Sequence, residues 1–412
     1  MDKFVSEITG YGYEGEGVCR IDGKVCFLPL SLKGEEVEFK INKETSSFCK
    51  GRLEKVLKAS PNRTFPPCPY FGKCGGCAYQ HTDYQNELDI KKNLLKSHLS
   101  KVNFDGEIQV VASDNEYGYR NKIKLFVGDK EIGLKQRESD KICDIERCFI
   151  CDQKINETIA SVRAFVHNQN LYQHFSEIVI RTQGQQVLVN FRRKTGVKIN
   201  YQGLFLILGK NSGIFENYKG KQIKICGLDG LLANEEGINC EFGVNSFHQV
   251  NNFVMPRLYS QVEKLVQGKT VINGYSGAGV LSAILAKKCK KVIGIELGLS
   301  EHEDAEKVKQ LNNLTNLINI HGDCGRVLKE IDEKVDMVVI DPPRAGIDQS
   351  VVEAIDNFAC QKLIYISCNP ATLVRDVERL KNFSIDQVWL YDMFARTSQY
   401  EVLCTLKRTK CQ

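Results

Sequence analysis

The sequence predicts an α/β protein built in three parts, and three observations predict it. From about residue 241, short apolar runs rich in β-branched residues alternate with helix-like segments, the pattern of a doubly wound sheet. Residues 1–60 instead carry many short strands separated by Gly10, Gly12, Gly15, Gly17, Gly23 and Gly34, the pattern of a small β-barrel of the OB type. Residues 61–240 mix one clear helix, several strand-like runs and a knot of cysteines, an α+β arrangement. The expected domains are therefore 1–60, 61–240 and 241–412.

Composition narrows the class. The net charge of +5 is a mild basic bias, which permits a nucleic-acid partner without arguing for one. No apolar run reaches the roughly 18 residues a membrane span needs. Met1-Asp2-Lys3-Phe4 opens into mixed polar sequence, not into a secretory leader. The 17 cysteines, odd in number and irregularly spaced, fit a reduced, cytoplasmic setting. They divide into inert core thiols, ligands and one candidate nucleophile. Nothing in the sequence speaks to oligomeric state, and a monomer is the default.

Along the N-terminal part, Val25–Pro29 and Val37–Ile41 read as strands. Such barrels often bind RNA or single strands, although acidic and basic residues roughly balance here. Ser60–Pro67 is a proline-rich boundary. It leads into Cys68-Pro69-Tyr70-Phe71-Gly72-Lys73-Cys74-Gly75-Gly76-Cys77, where glycines let the backbone wrap around whatever the thiols hold. Three cysteines want a fourth ligand, and Cys143, Cys148 and Cys151 are the candidates. Zinc and a [4Fe–4S] cluster are both open; paired C-x-x-C halves would favour zinc, and the x5, x2 spacing of Cys68, Cys74 and Cys77 with a distant fourth ligand does not look like that. His81–Lys101 reads as a helix whose Lys91, Lys92 and Lys96 form a solvated basic face. Lys122–Val127 and Val187–Phe191 read as strands. Arg120, Lys122 and Lys124 on one face, and Arg192-Arg193-Lys194 after the other, are candidate phosphate contacts.

In the C-terminal part, Thr270–Asn273 is a strand, Gly274-Tyr275-Ser276-Gly277-Ala278-Gly279 a glycine-rich turn, and Val280–Lys288 a helix. The strand Lys291–Glu296 ends in a carboxylate about 20 residues past the glycines, which suits a ribose-binding acid. NAD and S-adenosylmethionine (SAM) both fit at this level. Asp336–Ile340 is a further strand ending in Asp341-Pro342-Pro343, which adds a carboxylate and a rigid turn at the same sheet edge and favours SAM-type group transfer by analogy. Leu363–Ser367 is a buried strand that stops at Cys368-Asn369-Pro370. A cysteine there sits where open α/β sheets present reactive groups, although an inert buried thiol is the ordinary fate. Met393–Cys404 reads as a late strand interrupted by Glu401; buried beside a cysteine, that carboxylate would have the raised pKa of a proton acceptor.

Taken in order, these motifs resemble the family of SAM-dependent RNA uracil-C5 methyltransferases that carry an N-terminal TRAM domain. The resemblance covers essentially the whole chain. It implies a Rossmann-like SAM methyltransferase domain at the C-terminus and a [4Fe–4S] cluster held by Cys68, Cys74, Cys77 and Cys148. It implies SAM contacts from Gln249, in Ser246-Phe247-His248-Gln249-Val250-Asn251, and from Tyr275, Glu296 and Asp341. It implies Cys368 as nucleophile and Glu401 as general base. The sequence departs from the family pattern at Asn273 (usually aspartate), Ser276 (often cysteine), His248 (often phenylalanine) and Ala395-Arg396 (often Pro-His or Pro-Gln). None of these removes a catalytic group.

The chemistry is consistent with that resemblance. Uracil C5 is a poor nucleophile until a thiolate adds at C6. The C5 proton must then leave before the enzyme is released, so the reaction needs a thiolate, a base and a positioned methyl donor. The target base must be unstacked, which points to structured RNA. The barrel and cysteine knot resemble the branch of the family that modifies 23S rRNA, and a tRNA T-loop uridine is the alternative. A non-catalytic RNA-binding assembly factor is the reading from another class, opposed by the intact Cys368 and Glu401.

Overall fold

The computed structural model describes residues 3–246 and 248–409. Phe247, part of the Ser246–Asn251 motif, lies outside the described residues.

The N-terminal part is a six-stranded sheet in the spatial order Lys3–Glu7, Glu36–Glu44, Phe48–Lys58, Lys24–Leu28, Gly17–Ile21, Gly10–Tyr11. All its pairings are antiparallel except that of Lys24–Leu28 with Phe48–Lys58. Alternating side chains, among them Cys19, Cys26, Leu28, Val37 and Phe39, fill its core.

The central part is a seven-stranded sheet running from Ile142–Asp144 at one edge to Lys221–Gly227 at the other. Helix Gln153–Asn168 covers it, with Ile155, Ile159, Val162 and Val166 recurring at helical spacing toward the sheet. Asp152 caps this helix by accepting the Ile155 N–H at 2.6 Å.

The C-terminal sheet has eight strands in the order Leu317–His321, Lys291–Glu296, Thr270–Gly274, Met337–Ile340, Lys362–Ser367, Glu401–Arg408, Phe383–Tyr391, Ile108–Val111. The first five run parallel, and Glu401–Arg408 is antiparallel to both of its neighbours. The strand order reverses between Thr270–Gly274 and Met337–Ile340, and ligands of open α/β sheets bind at such a switch point. Apolar side chains on both faces bury the inner parallel strands, while the edge strand Leu317–His321 is partly exposed.

Four details differ from the sequence reading. Ile108–Val111, inside the stretch read as central, is the eighth strand of this sheet and pairs in parallel with Val388–Tyr391. The late strand begins only at Glu401; residues 393–400 form a turn-rich loop. Lys91 is not on a solvated helix face, because its side chain is fully buried between Glu87 and Asp392. Arg193 likewise is buried against Glu216 and is not free to meet a phosphate.

Candidate active site

Register brings the candidate residues to one edge. Gly274 pairs with both Ile295 and Ile340, so Tyr275, Glu296 and Asp341 leave their strands side by side. Ser367 pairs with Val402 in antiparallel register. Cys368, one residue past its strand, therefore faces Glu401 at the start of its own. Four strand ends and one strand start thus meet at the switch-point edge.

The glycine turn is built tightly on one side and openly on the other. Gly279 has a φ of +78°, and a Cβ there would lie 2.7 Å from the Ala305 side chain. Gly277, at φ +54°, has nothing within 4 Å of a Cβ position and so faces open space. Tyr275 holds a left-handed φ of 60°, an uncommon conformation for an aromatic residue. Glu296 fixes the turn from below. Its carboxylate accepts the Gly277 N–H at 2.8 Å and the Gly298 N–H at 2.7 Å. The result is a cradle with an acid at its rim, which fits a nucleoside.

Asp341, Glu401 and Cys368 form one electrostatic group with Arg344. Glu401 is only 4% exposed, and its Oε2 has no hydrogen-bond partner. Burial raises its pKa well above the usual carboxylate range, the Asp341 charge adds to the rise, and Arg344 opposes it. Burial pushes Asp341 up to about 7. The Cys368 thiol is pushed up to about 11, first by burial and then by the charge of Glu401, with Arg344 pulling the other way. A thiol and two carboxylates crowded into one poorly solvated place is an arrangement that costs stability and supplies proton acceptors.

Gln249 is buried, but its recorded contacts are through the backbone: its carbonyl accepts from Asn121 Nδ2 at 3.2 Å. None of its recorded contacts joins it to Tyr275, Glu296 or Asp341. The segment around it is strapped down. Arg181 donates to the Ser246 carbonyl at 2.6 Å, and His248 pairs through Nε2 with Glu235 at 2.5 Å.

One residue not singled out from the sequence belongs to the site. Arg344 closes the Asp-Pro-Pro turn and is the cation nearest the thiol and Glu401 in effect; its place directly after that turn was the available signal.

The loop that leads into Glu401 is bolted to the rest of the chain. Asp392 accepts from Lys91 at 2.6 Å and from the Tyr84 hydroxyl at 2.7 Å. Lys91 also donates to Glu87 at 2.7 Å. Arg396, at a left-handed φ of 66°, donates to the carbonyls of Tyr79 and Thr82 and pairs with Glu116 and Glu87. Its carbonyl accepts the Ala78 and Tyr79 N–H groups at 2.9 and 3.1 Å. Ala78 directly follows Cys77, so the cysteine knot and the loop before Glu401 share a hydrogen-bonded seam.

The knot itself surrounds an enclosed cavity of about 30 Å³ lined by Cys68, Cys74, Cys77 and Cys148. Cys143 and Cys151 do not line it; they are buried in the central core. Among the described residues no three His, Cys, Asp or Glu side chains converge closely enough to hold a single metal ion. The four thiols stand around a space instead of a point, and four cysteines are the donor set of a [4Fe–4S] cluster. Burial raises the thiol pKa of Cys68, Cys77 and Cys74, the last to about 11, and the charge of Cys148 adds to each. A cationic centre would reverse that cost by favouring the thiolates.

Comparison with known proteins agrees with this geometry. The family described as tRNA (Uracil-5-)-methyltransferase matches residues 228–409. An RNA methyltransferase of uncharacterised specificity from Clostridium tetani is 32% identical, the match spanning 96% of this chain and 94% of the relative. The chain belongs to the uracil-5 RNA methyltransferase family. Among other members, the tRNA (uracil(54)-C(5))-methyltransferase of Pyrococcus furiosus is 29% identical over 92% of this chain and 94% of its own. The crystal structure of the Pyrococcus abyssi tRNA (uracil-54, C5)-methyltransferase, in complex with S-adenosyl-L-homocysteine, superposes with a TM-score of 0.83 at 26% identity, covering 98% of this chain and 100% of that one. This methyltransferase therefore shares its α/β methyltransferase fold and β-rich N-terminal part with a solved relative over the full length. Among the described residues no helix is long and apolar enough to cross a membrane.

Proposed function

We propose that this methyltransferase transfers a methyl group to C5 of a uridine in structured RNA, with Cys368 as nucleophile and Glu401 as base. The observation that carries the reading is the antiparallel register that sets the end of Lys362–Ser367 beside the start of Glu401–Arg408. SAM, when bound, supplies the methyl. Tyr275, Glu296 and Asp341 hold it at the glycine turn, and Gln249 approaches from the Ser246–Asn251 segment. Cys368 Sγ adds to uracil C6 and makes C5 nucleophilic. Once C5 is methylated, Glu401 takes the C5 proton, the C6–S bond breaks and the thiolate is restored. Arg344 tempers the charge of both groups. Cys68, Cys74, Cys77 and Cys148 hold a [4Fe–4S] cluster that braces the seam to Arg396 and does no redox work in this cycle. The N-terminal sheet acts as a TRAM-type RNA-binding module, and the protein works as a cytoplasmic monomer.

Two RNA classes follow from different observations. The 23S rRNA reading rests on the N-terminal sheet and the cysteine knot. The tRNA reading rests on the Pyrococcus enzymes, which are named for a tRNA uracil and are similar to this chain over nearly its full length. The test is to map 5-methyluridine by mass spectrometry in RNA from cells with and without the gene. Loss at 23S rRNA positions supports the first, and loss in the tRNA T-loop supports the second. No loss in any RNA refutes the reading and revives the non-catalytic assembly factor.

A further inference from the structure

A second cavity, about 290 Å³ in volume, opens on the outer side of Cys368. Its walls include Tyr13, His98, Arg344, Pro370 and Tyr400. Neither Glu401 nor Asp341 lines it; on the reading proposed above, the uracil lies between the thiol and Glu401, away from this wall. The outer cavity is left for something next to that uracil.

Its most exposed aromatic comes from the other end of the chain. Tyr13 sits on the loop between strands Gly10–Tyr11 and Gly17–Ile21 and is 58% exposed, whereas His98, at the end of helix Tyr84–Leu99, is 2% exposed. The two rings lie 4.3 Å apart between centroids with 35° between planes, and the Tyr13 hydroxyl is 3.5 Å from His98 Nδ1. The loop is held in place behind the ring. Gly12 donates to the Glu16 carbonyl at 2.8 Å, and Gly15, at φ +84°, lies so close to the Tyr79 ring that a Cβ would be 2.9 Å away. Tyr79 is itself tied to Arg396. Tyr13 is thus a pre-positioned aromatic with one face on a buried imidazole and the other free. Arg344, the one permanent cation among the described residues that line the cavity, also lines a larger groove of about 490 Å³ that continues toward Cys77.

We propose that Tyr13, backed by His98, forms a stacking platform for the nucleobase adjacent to the uridine that is methylated. The inference rests on the reading of Cys368 and Glu401 given above. A base taken out of a stack leaves its neighbour with an uncovered face, and aromatic side chains are the usual cover in proteins that bind unpaired RNA. In this arrangement the N-terminal part contributes directly to substrate selection at the reaction centre.

The test uses the full-length protein and two probes, an unmodified tRNA transcript and a 23S rRNA transcript. Dissociation constants and steady-state kinetics are measured for wild type, Tyr13→Ala, Tyr13→Phe and Tyr13→Trp. The proposal expects Tyr13→Ala to weaken binding of the accepted transcript and raise its KM by about 5- to 150-fold, the range of one base–aromatic stack. It expects kcat and the KM for SAM to hold, and Tyr13→Phe and Tyr13→Trp to bind like wild type. Unchanged binding in Tyr13→Ala overturns it. So does a fall in kcat with unchanged KM, which would put Tyr13 at the reacting base, and so does a loss in Tyr13→Phe equal to that in Tyr13→Ala, which would assign the hydroxyl instead of the ring. Binding is read separately from turnover, so a wild type that binds without methylating either transcript fails the functional reading and still tests the platform.

Discussion

At the scale of single residues, catalysis turns on two groups whose surroundings disfavour their charged forms. Burial and the neighbouring Glu401 raise the Cys368 thiol to about 11, and burial raises Glu401 itself. Both must lose a proton before they can act, so both push activity the same way. The expected pH profile of kcat/KM climbs by at least about tenfold per unit between about pH 7 and pH 10; a profile flat across that range contradicts the assignment. Replacing Glu401 by Gln leaves the thiol able to add but removes the acceptor for the C5 proton. Turnover is then expected to fall by about 10²–10⁴-fold, with a methylated protein–RNA adduct accumulating on a denaturing gel. Asp341 makes the stability side measurable. Its folded pKa of about 7 lies above the ordinary 3.8, so the folded state holds a proton that the unfolded state has lost. Stability therefore declines as pH rises from about 4 to 7, and the full penalty stands above that. Asp341→Asn is expected to raise the melting temperature by about 2–4 °C at pH 8 and to leave it unchanged near pH 4, while weakening SAM binding.

At the scale of elements, the sequence shows what each segment is better than where it goes. The strands Thr270–Gly274, Lys291–Glu296, Met337–Ile340 and Lys362–Ser367 are apolar on both faces and announce themselves. Their carboxyl ends carry Tyr275, Glu296, Asp341 and Cys368, so that half of the site is legible. The pairing of Ser367 with Val402 is a long-range choice made by the whole core, and no local pattern records it. Residues 393–400 read as strand because they are aromatic and apolar, yet they form a loop. Their backbone bonds go to other parts of the chain: Tyr119 Oη donates to the Ala395 carbonyl at 2.9 Å and Asn251 Nδ2 to that of Met393 at 3.1 Å. Lys91 looks like a solvated lysine because its two acidic partners include one 301 positions away. Removing it tests how firmly the loop is held. Lys91→Met leaves Asp392 buried without its cation and Glu87 with Arg396 alone, and a loss of about 3–5 kcal/mol in denaturant unfolding is expected. An unfolding curve close to wild type would mean that the network contributes little to fixing the loop.

At the scale of the whole molecule, three sheets that look independent in sequence meet at one chemical edge. The C-terminal sheet supplies the thiol and the carboxylates. The cysteine knot reaches the loop before Glu401 through Ala78, Tyr79 and Arg396. The N-terminal sheet brings Tyr13 to the outer side of Cys368. The knot then acts as a brace, and its loss should be felt at a distance. On the cluster reading, Cys74→Ser is expected to strip iron from protein purified without oxygen and to lower the melting temperature by several degrees, while SAM still binds at the glycine turn of the C-terminal sheet; an unchanged melting temperature would disconnect the knot from the fold. The central claim is the covalent one, that Cys368 attacks C6 and Glu401 must remove a proton from C5. The most direct measurement is mass spectrometry of the protein after incubation with SAM and a substrate transcript carrying 5-fluorouridine. Fluorine at C5 leaves Glu401 no proton to take, so elimination stops. The account predicts a stable adduct of protein, RNA and one methyl group, mapped to the peptide containing Cys368. An enzyme that methylates the ordinary transcript but forms no such adduct, or forms it on another cysteine, would contradict the account.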